Sequence, residues 1–145
     1  MIFELTQGNL FDSTAQTIVN PVNTVGVMGA GLALQFKEMY PDMFSSYVGH
    51  CKSGALAIGK LYLYRADHEW ILNFPTKQDW RQPSRIEWIE AGLKKFVETY
   101  ERQGITSIAF PKLGCGNGGL DWRDVGPLME RHLDKLTIAC HVHLS

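Results

Sequence analysis

The 145-residue chain lacks the features that mark membrane, secreted and long nucleic-acid-binding proteins. No apolar run approaches the roughly 20 residues that a membrane-spanning helix requires. The N-terminus, Met1-Ile2-Phe3-Glu4-Leu5, has neither the basic start nor the apolar stretch of a signal peptide. Cysteine is scarce. Cys51, Cys115 and Cys140 are widely spaced and odd in number, so they suggest neither a disulfide framework nor a Cys-x-x-Cys metal pair. Basic charge is not in excess: 14 Lys and Arg stand against 15 Asp and Glu, for a net charge of −1. A protein that holds long nucleic acid by neutralising phosphates carries a basic stripe. Here the basic residues are scattered, so any nucleic acid is expected to be recognised locally, as by one modified nucleotide. Repeats, low-complexity tracts and linkers are missing too. What remains is the profile of one ordinary globular domain, 45% hydrophobic and 20% charged, with the cytoplasm as its expected compartment.

Strand and helix patterns alternate along the chain. Residues 2–7 and 17–22 read as strands from their β-branched and apolar content, as do 61–65, 70–74, 106–110 and 137–144. Residues 29–39 show a helical apolar face (Leu32, Leu34, Phe36, Met39) that stops before Pro41. Residues 41–52 suit a second helix with Pro41 in its first turn and Gly54 past its end. Ser84-Arg85-Ile86-Glu87 reads as a capping box opening a third helix, whose buried face is Ile86, Ile89, Leu93, Phe96, Val97 and Tyr100. A short helix is expected after Trp122, with an irregular turn ahead of Pro127. The pattern predicts a three-layer α/β/α domain on a mixed sheet, with a hairpin or meander near the middle of the chain. Ligands of such sheets collect at loops leaving the carboxyl ends of strands. Three loops qualify: 20–31, 75–83 and 111–121.

The first of these passes from a strand through Asn20, Asn23, Gly26, Gly29 and Gly31 into a helix. Glycines let backbone N–H groups approach a ligand closely, and a helix start offers unpaired N–H groups with partial positive charge. The spacing G-x-x-G-x-G matches neither common phosphate fingerprint, and no Gly-Lys-Ser/Thr closes the loop. The third loop, Gly114-Cys115-Gly116-Asn117-Gly118-Gly119, has four glycines in six residues straight after an apolar strand. Glycine clusters alone are also simply tight turns; two of them, each between strand and helix, point to a diphosphate clamp. Cys115 reads either as a nucleophile or as a small residue that permits close packing. His141 and His143 alternate on the last strand in a way more typical of edge positions than of a metal site. Trp80 suits base stacking and packing equally.

Gly8-Asn9-Leu10, Val19-Asn20-Pro21-Val22-Asn23, Gly29-Ala30-Gly31-Leu32-Ala33, Asn73-Phe74-Pro75-Thr76-Lys77 and Leu113-Gly114-Cys115-Gly116-Asn117-Gly118-Gly119 occur in this order across essentially the whole chain. In combination they resemble a macrodomain, the ADP-ribose-binding module, and within that family the DarG type, which removes ADP-ribose from DNA. The resemblance implies a three-layer α/β/α macrodomain with a central mixed, mostly parallel sheet, a single domain over residues 1–145 without the toxin-contacting region of DarG-type proteins. It implies that Gly8 and Asn9 meet the adenine, although many macrodomains carry Asp where Asn9 stands. Asn20, Pro21 and Val22 are then on the ribose side, with Asn23 a polar contact to the distal ribose. Gly29, Gly31 and Leu32 close over the diphosphate from one side and Gly114, Cys115, Gly116, Asn117 and Gly118 from the other, with Thr76 beside them.

Lys77 would be catalytic by the same resemblance, although a loop lysine by itself is ordinarily a solvated surface charge. The implied reaction is hydrolysis of the N-glycosidic bond between the distal ribose and a thymine ring nitrogen in single-stranded DNA. Two routes for Lys77 are open: attack on the sugar carbon as an amine, or donation of a hydrogen bond or proton as an ammonium. In related glycohydrolases an aspartate of the third loop assists the lysine. By motif register that place is Gly118 here, leaving Asp79 or Asp121 as unmatched substitutes. The implied partners are ADP-ribose, ADP-ribosylated DNA and a cognate DarT-like toxin, with no cofactor, no metal and no membrane. The alternatives are an ADP-ribose-binding module without turnover, and a hydrolase of a small ADP-ribose metabolite.

Overall fold

The computed structural model describes residues 3–145. Its strands are β1 (Phe3–Thr6), β2 (Thr17–Val22), β3 (Tyr62–Arg65), β4 (Trp70–Pro75), β5 (Ser107–Phe110) and β6 (Ala139–His143). Its helices are α1 (Gly31–Met39), α2 (Pro41–Ser53), α3 (Ile86–Thr99) and α4 (Trp122–Leu133), with a 3-10 turn at Leu10–Asp12. Ile2, the first residue of the expected opening strand, lies outside the described residues. The sheet runs β1-β6-β5-β2-β4-β3, and among the described strands only β3 is antiparallel to its neighbour, forming with β4 a hairpin that is midway along the chain but at the edge of the sheet.

Alternation along the strands divides the core in two. Val19, Leu72, Phe74, Ile108 and Phe110 meet α3 and α4 through Ile89, Leu93, Phe96, Val125 and Met129. Ile18, Val22, Ile71 and Ala109 meet α1 and α2 through Phe36, Met43 and Tyr47. Helices therefore cover both faces, the three-layer arrangement the alternating pattern predicts. At Gly92 α3 sits so close to the sheet that an added Cβ would fall inside van der Waals distance of the Phe74 ring. That ring is fully buried and packed edge-on against Phe110, so it has nowhere to move. Gly92→Ala is expected to destabilise the fold by about 1–3 kcal/mol through overpacking, read as a lower midpoint in urea denaturation.

Two local expectations are corrected. Ser84 does not cap α3: Arg85 is the N-cap and offers no side-chain bond, while Ser84 N donates to Gly118 O at 2.9 Å. The tertiary bond to the third loop has displaced the local capping box. And α4 runs unbroken through Pro127, opened by Asp121, whose carboxylate accepts from Arg123 N. Pro127 is tolerated because it lies on the exposed face, opposite the buried Val125, Leu128 and Met129.

Candidate active site

The carboxyl ends of β2, β4 and β5, three adjacent parallel strands, bring the three loops together. Between them lies a cleft of about 720 Å³, in the range of a site for a drug- or nucleotide-sized ligand.

Asn23 shapes the first wall. Its Oδ1 accepts from Val25 N (3.2 Å), Val27 N (3.3 Å) and the buried Tyr47 hydroxyl (2.9 Å), and its Nδ2 donates to Val27 O (2.7 Å). The amide oxygen thus staples the loop to itself and to α2, and it is not free for a ribose as the resemblance implied. The loop ends at α1, whose N-cap Ala30 supplies no side-chain acceptor, so the first N–H groups of the helix face the cleft uncapped. Gly31 opens the helix at φ +58, a conformation L side chains rarely adopt. An anion is the natural partner of such an end.

The second wall continues the β2–β4 pairing: Thr76 N and Lys77 N both reach Val22 O, at 2.8 and 3.4 Å. Lys77 Nζ then crosses to the third loop, donating to Asn117 O at 2.9 Å and to Trp80 O at 3.3 Å. These carbonyls take two of the three donors of an ammonium. The third wall is built around Gly114 and Gly118. Gly114 has φ +73, and a Cβ there would lie 2.8 Å from Leu120 Cδ1. A Cβ at Gly118 would run into the Gly114 carbonyl and the Ser84 hydroxyl. On the far side of the wall, the Asn117 amide reaches the start of α1, with Nδ2 3.3 Å from where a Gly31 Cβ would stand. Asn117 thereby joins Lys77 to the helix end.

Lys77 and Lys112 are the cations of the cleft, and among the described lining residues there is no carboxylate and no imidazole. Asp79 is clasped by Arg81, whose Nη2 lies 2.8 Å from its carboxylate, and these hydrogen bonds lower its pKa to about 2. Asp121 is held likewise by Arg123 at 2.8 Å, which pulls its pKa below the usual carboxylate range. Each carboxylate is committed to its own arginine. Neither lines the cleft beside Lys77.

Most of the expected site residues meet in the cleft: Pro21, Val22, Asn23, Gly29, Gly31, Leu32, Thr76, Lys77, Gly114, Gly116, Asn117 and Gly118. Four do not line it. Asn20 is fully buried, its amide donating to Asn73 Oδ1 at 3.1 Å, so it supports the cleft from beneath. Cys115 turns its thiol to Leu113 O at 3.5 Å, and burial pushes the thiol pKa up, which suits packing and not nucleophilic attack. Asn9 caps the 3-10 turn by accepting from Phe11 N at 2.9 Å. Gly8 is held beyond β1, its N–H bonded to Ser145 Oγ at 3.3 Å and its carbonyl 3.2 Å from His143 Nδ1. Sequence reasoning did not single out Ala33, Pro111 and Lys112 as lining residues. Lys112 carried a usable signal: Pro111-Lys112 leaves β5 as Pro75-Thr76-Lys77 leaves β4.

Comparison with known proteins identifies the family. A family model described as Macro domain matches residues 19–129. A DNA ADP-ribosyl glycohydrolase of Thermus aquaticus is 46% identical over 134 residues, covering 90% of this chain and 37% of that protein. Thermosipho africanus DarTG, solved in complex with ADP-ribose, superposes with a TM-score of 0.91 at 45% identity, over 98% of this chain and 42% of that one. The macrodomain of Mycobacterium tuberculosis DarG superposes with a TM-score of 0.94 at 39% identity, covering 99% of this chain and 97% of that one. The chain thus spans about two fifths of the curated relatives' length. Matched across its strands, its glycine loops and most of its length, it belongs to the macro domain family.

Proposed function

We propose that this chain removes ADP-ribose from thymidine in ADP-ribosylated single-stranded DNA, as antitoxin to a DarT-like DNA ADP-ribosyltransferase. The observation that carries the proposal is Lys77 Nζ, held by two loop carbonyls at a cleft whose other walls are an uncapped helix start and a glycine loop. Relatives named DNA ADP-ribosyl glycohydrolase, at 46 and 47% identity, support the activity. A relative at 43% identity named as a fusion of that enzyme with a DNA ADP-ribosyl transferase supports the partner. We assign the protein to the cytoplasm together with this substrate.

In the reaction, the bond from the distal ribose carbon to the thymine nitrogen breaks through an oxocarbenium-like state. The departing nitrogen is an imide flanked by two carbonyls, so its anion is already stabilised and needs only a donor nearby. Lys77 supplies that hydrogen bond or proton. Water bonds to the ribose carbon, and the proton it loses goes to the Lys77 amine or, where Lys77 has donated only a hydrogen bond, to the thymine anion. Attack by Lys77 as an amine is the route for which related glycohydrolases pair the lysine with an aspartate of the third loop; that place is Gly118 here, and the described cleft lining offers neither carboxylate nor imidazole. The donor route is therefore the one the cleft supports.

Turnover of a thymidine-ADP-ribosylated oligonucleotide, O-acetyl-ADP-ribose and ADP-ribose-1″-phosphate should be compared in parallel. The expected order places the oligonucleotide well ahead of both small compounds. Faster turnover of either small compound would favour a metabolite hydrolase. Binding of ADP-ribose with no turnover of any of them would favour a reader.

A further inference from the structure

Trp80 is 54% exposed, yet it lines the same cleft as Lys77 and packs with neither of the two hydrophobic cores. Its backbone is nevertheless fixed. Its carbonyl accepts from Lys77 Nζ at 3.3 Å, and the turn around it is closed by Gln82 N donating to Asp79 O at 3.1 Å. Arg81 stands behind the indole with Cζ 5.6 Å from the ring centroid, a cation–π distance. The guanidinium is itself locked, with Nε 3.0 Å and Nη2 2.8 Å from the two Asp79 carboxylate oxygens. The first loop completes the rim: Thr24 N bonds Gln78 O at 3.3 Å, and nearby Val25 and Val27 are 50% and 37% exposed. A large aromatic surface is thus left in water at the rim of the cleft, beside cations and away from uncommitted carboxylates.

We propose that Trp80 is the stacking platform for the base that carries the ADP-ribose, so that the cleft prefers base-linked ADP-ribose to ADP-ribose alone. This rests on the DNA glycohydrolase reading above. Because the Trp80 carbonyl and the Lys77 ammonium are joined, a base stacked on the indole is presented to the group that receives it as it leaves. The scattered charge of the chain fits such local recognition: one aromatic face does what a basic stripe does for longer strands.

The test compares wild type, Trp80→Ala and Trp80→Phe with three ligands: ADP-ribose, ADP-ribosyl-thymidine and the modified oligonucleotide. Affinity is read ahead of turnover, by displacement of a fluorescent ADP-ribose analogue within the mixing time, and KM and kcat are read afterwards. Trp80→Ala is expected to leave ADP-ribose affinity within about twofold while weakening ADP-ribosyl-thymidine and the oligonucleotide roughly 5- to 150-fold, the range for one stacked base. The loss should fall mainly on KM, and Trp80→Phe should recover most of it. Equal weakening of all three ligands would make Trp80 a structural residue and overturn the proposal. So would no weakening, or a penalty confined to the oligonucleotide, which would move the stack to a neighbouring base. Because affinity is measured without turnover, a wild-type chain that fails to hydrolyse would count against the glycohydrolase reading and leave the stacking result separate.

Discussion

Lys77→Ala is expected to slow release of ADP-ribose from modified DNA by about 10²- to 10⁴-fold, the usual contribution of one positioned proton donor. Binding of free ADP-ribose should change only a few-fold, because the proposed seat of the diphosphate is the backbone of α1 and the third loop and not this side chain. Lys77→Arg is the more telling variant. It keeps the charge and can bridge the Trp80 and Asn117 carbonyls, but its planar guanidinium does not give up a proton near neutral pH. Its expected result is near-normal ADP-ribose binding, and its rate separates the two forms of donation: most of it is missing if Lys77 delivers a proton, and most is kept if a hydrogen bond suffices. Borohydride added during turnover by the wild type should trap no protein-linked sugar, since the donor route forms no imine. Release from a labelled oligonucleotide, calorimetry with ADP-ribose and mass spectrometry of the treated protein check these results.

Gly118 is expected to be the most sensitive position of the clamp. In related glycohydrolases an aspartate there assists the lysine, so Gly118→Asp looks like a repair. The geometry predicts the opposite. Any Cβ at Gly118 meets the Gly114 carbonyl and the Ser84 hydroxyl well inside van der Waals distance, and the backbone carbonyl cannot swing away as a side chain would. The same carbonyl accepts from Leu120 N at 2.9 Å, and Ser84 N is bonded to Gly118 O, so a shift would break the loop's two anchors. Both Gly118→Ala and Gly118→Asp should lose about 1–3 kcal/mol of stability and weaken ADP-ribose binding by an order of magnitude or more. Gly116→Ala is the control for stability. Its Cβ would enter open space and its φ is not positive, so its denaturation midpoint should match the wild type.

The sequence was most informative where one physical signal dominated. Strand alternation at Ile18-Val19 and Ile71-Leu72 assigns each residue to its own face of the sheet, so the three layers could be read directly. Two glycine loops, each between a strand and a helix, marked the clamp for the same reason: backbone N–H groups need no side-chain code. Sequence was a poorer guide where a side chain had a choice of partners. Asn20 and Asn23 both look like ligand contacts at a strand end, but Asn20 turns into the sheet toward Asn73, and Asn23 is spent on its own loop and Tyr47. Ser84 has a good local capping sequence, yet its backbone N–H bonds Gly118 O, more than thirty residues away, and its hydroxyl finds no partner among the described residues. Asp79 and Asp121 each sit two residues before an arginine that pairs with them, and neither lines the cleft. Such choices are set by long-range packing, which no short window of sequence contains.

The central claim is that the glycine loops hold ADP-ribose and that Lys77, on a different loop, turns holding into hydrolysis. Single-turnover release from a thymidine-ADP-ribosylated single-stranded oligonucleotide, with the protein in excess, tests it most directly. The account predicts free ADP-ribose and an oligonucleotide with its thymidine restored intact, formed by the wild type and not by Lys77→Ala. An oligonucleotide that keeps its ADP-ribose in the presence of wild-type protein still able to bind free ADP-ribose would contradict it.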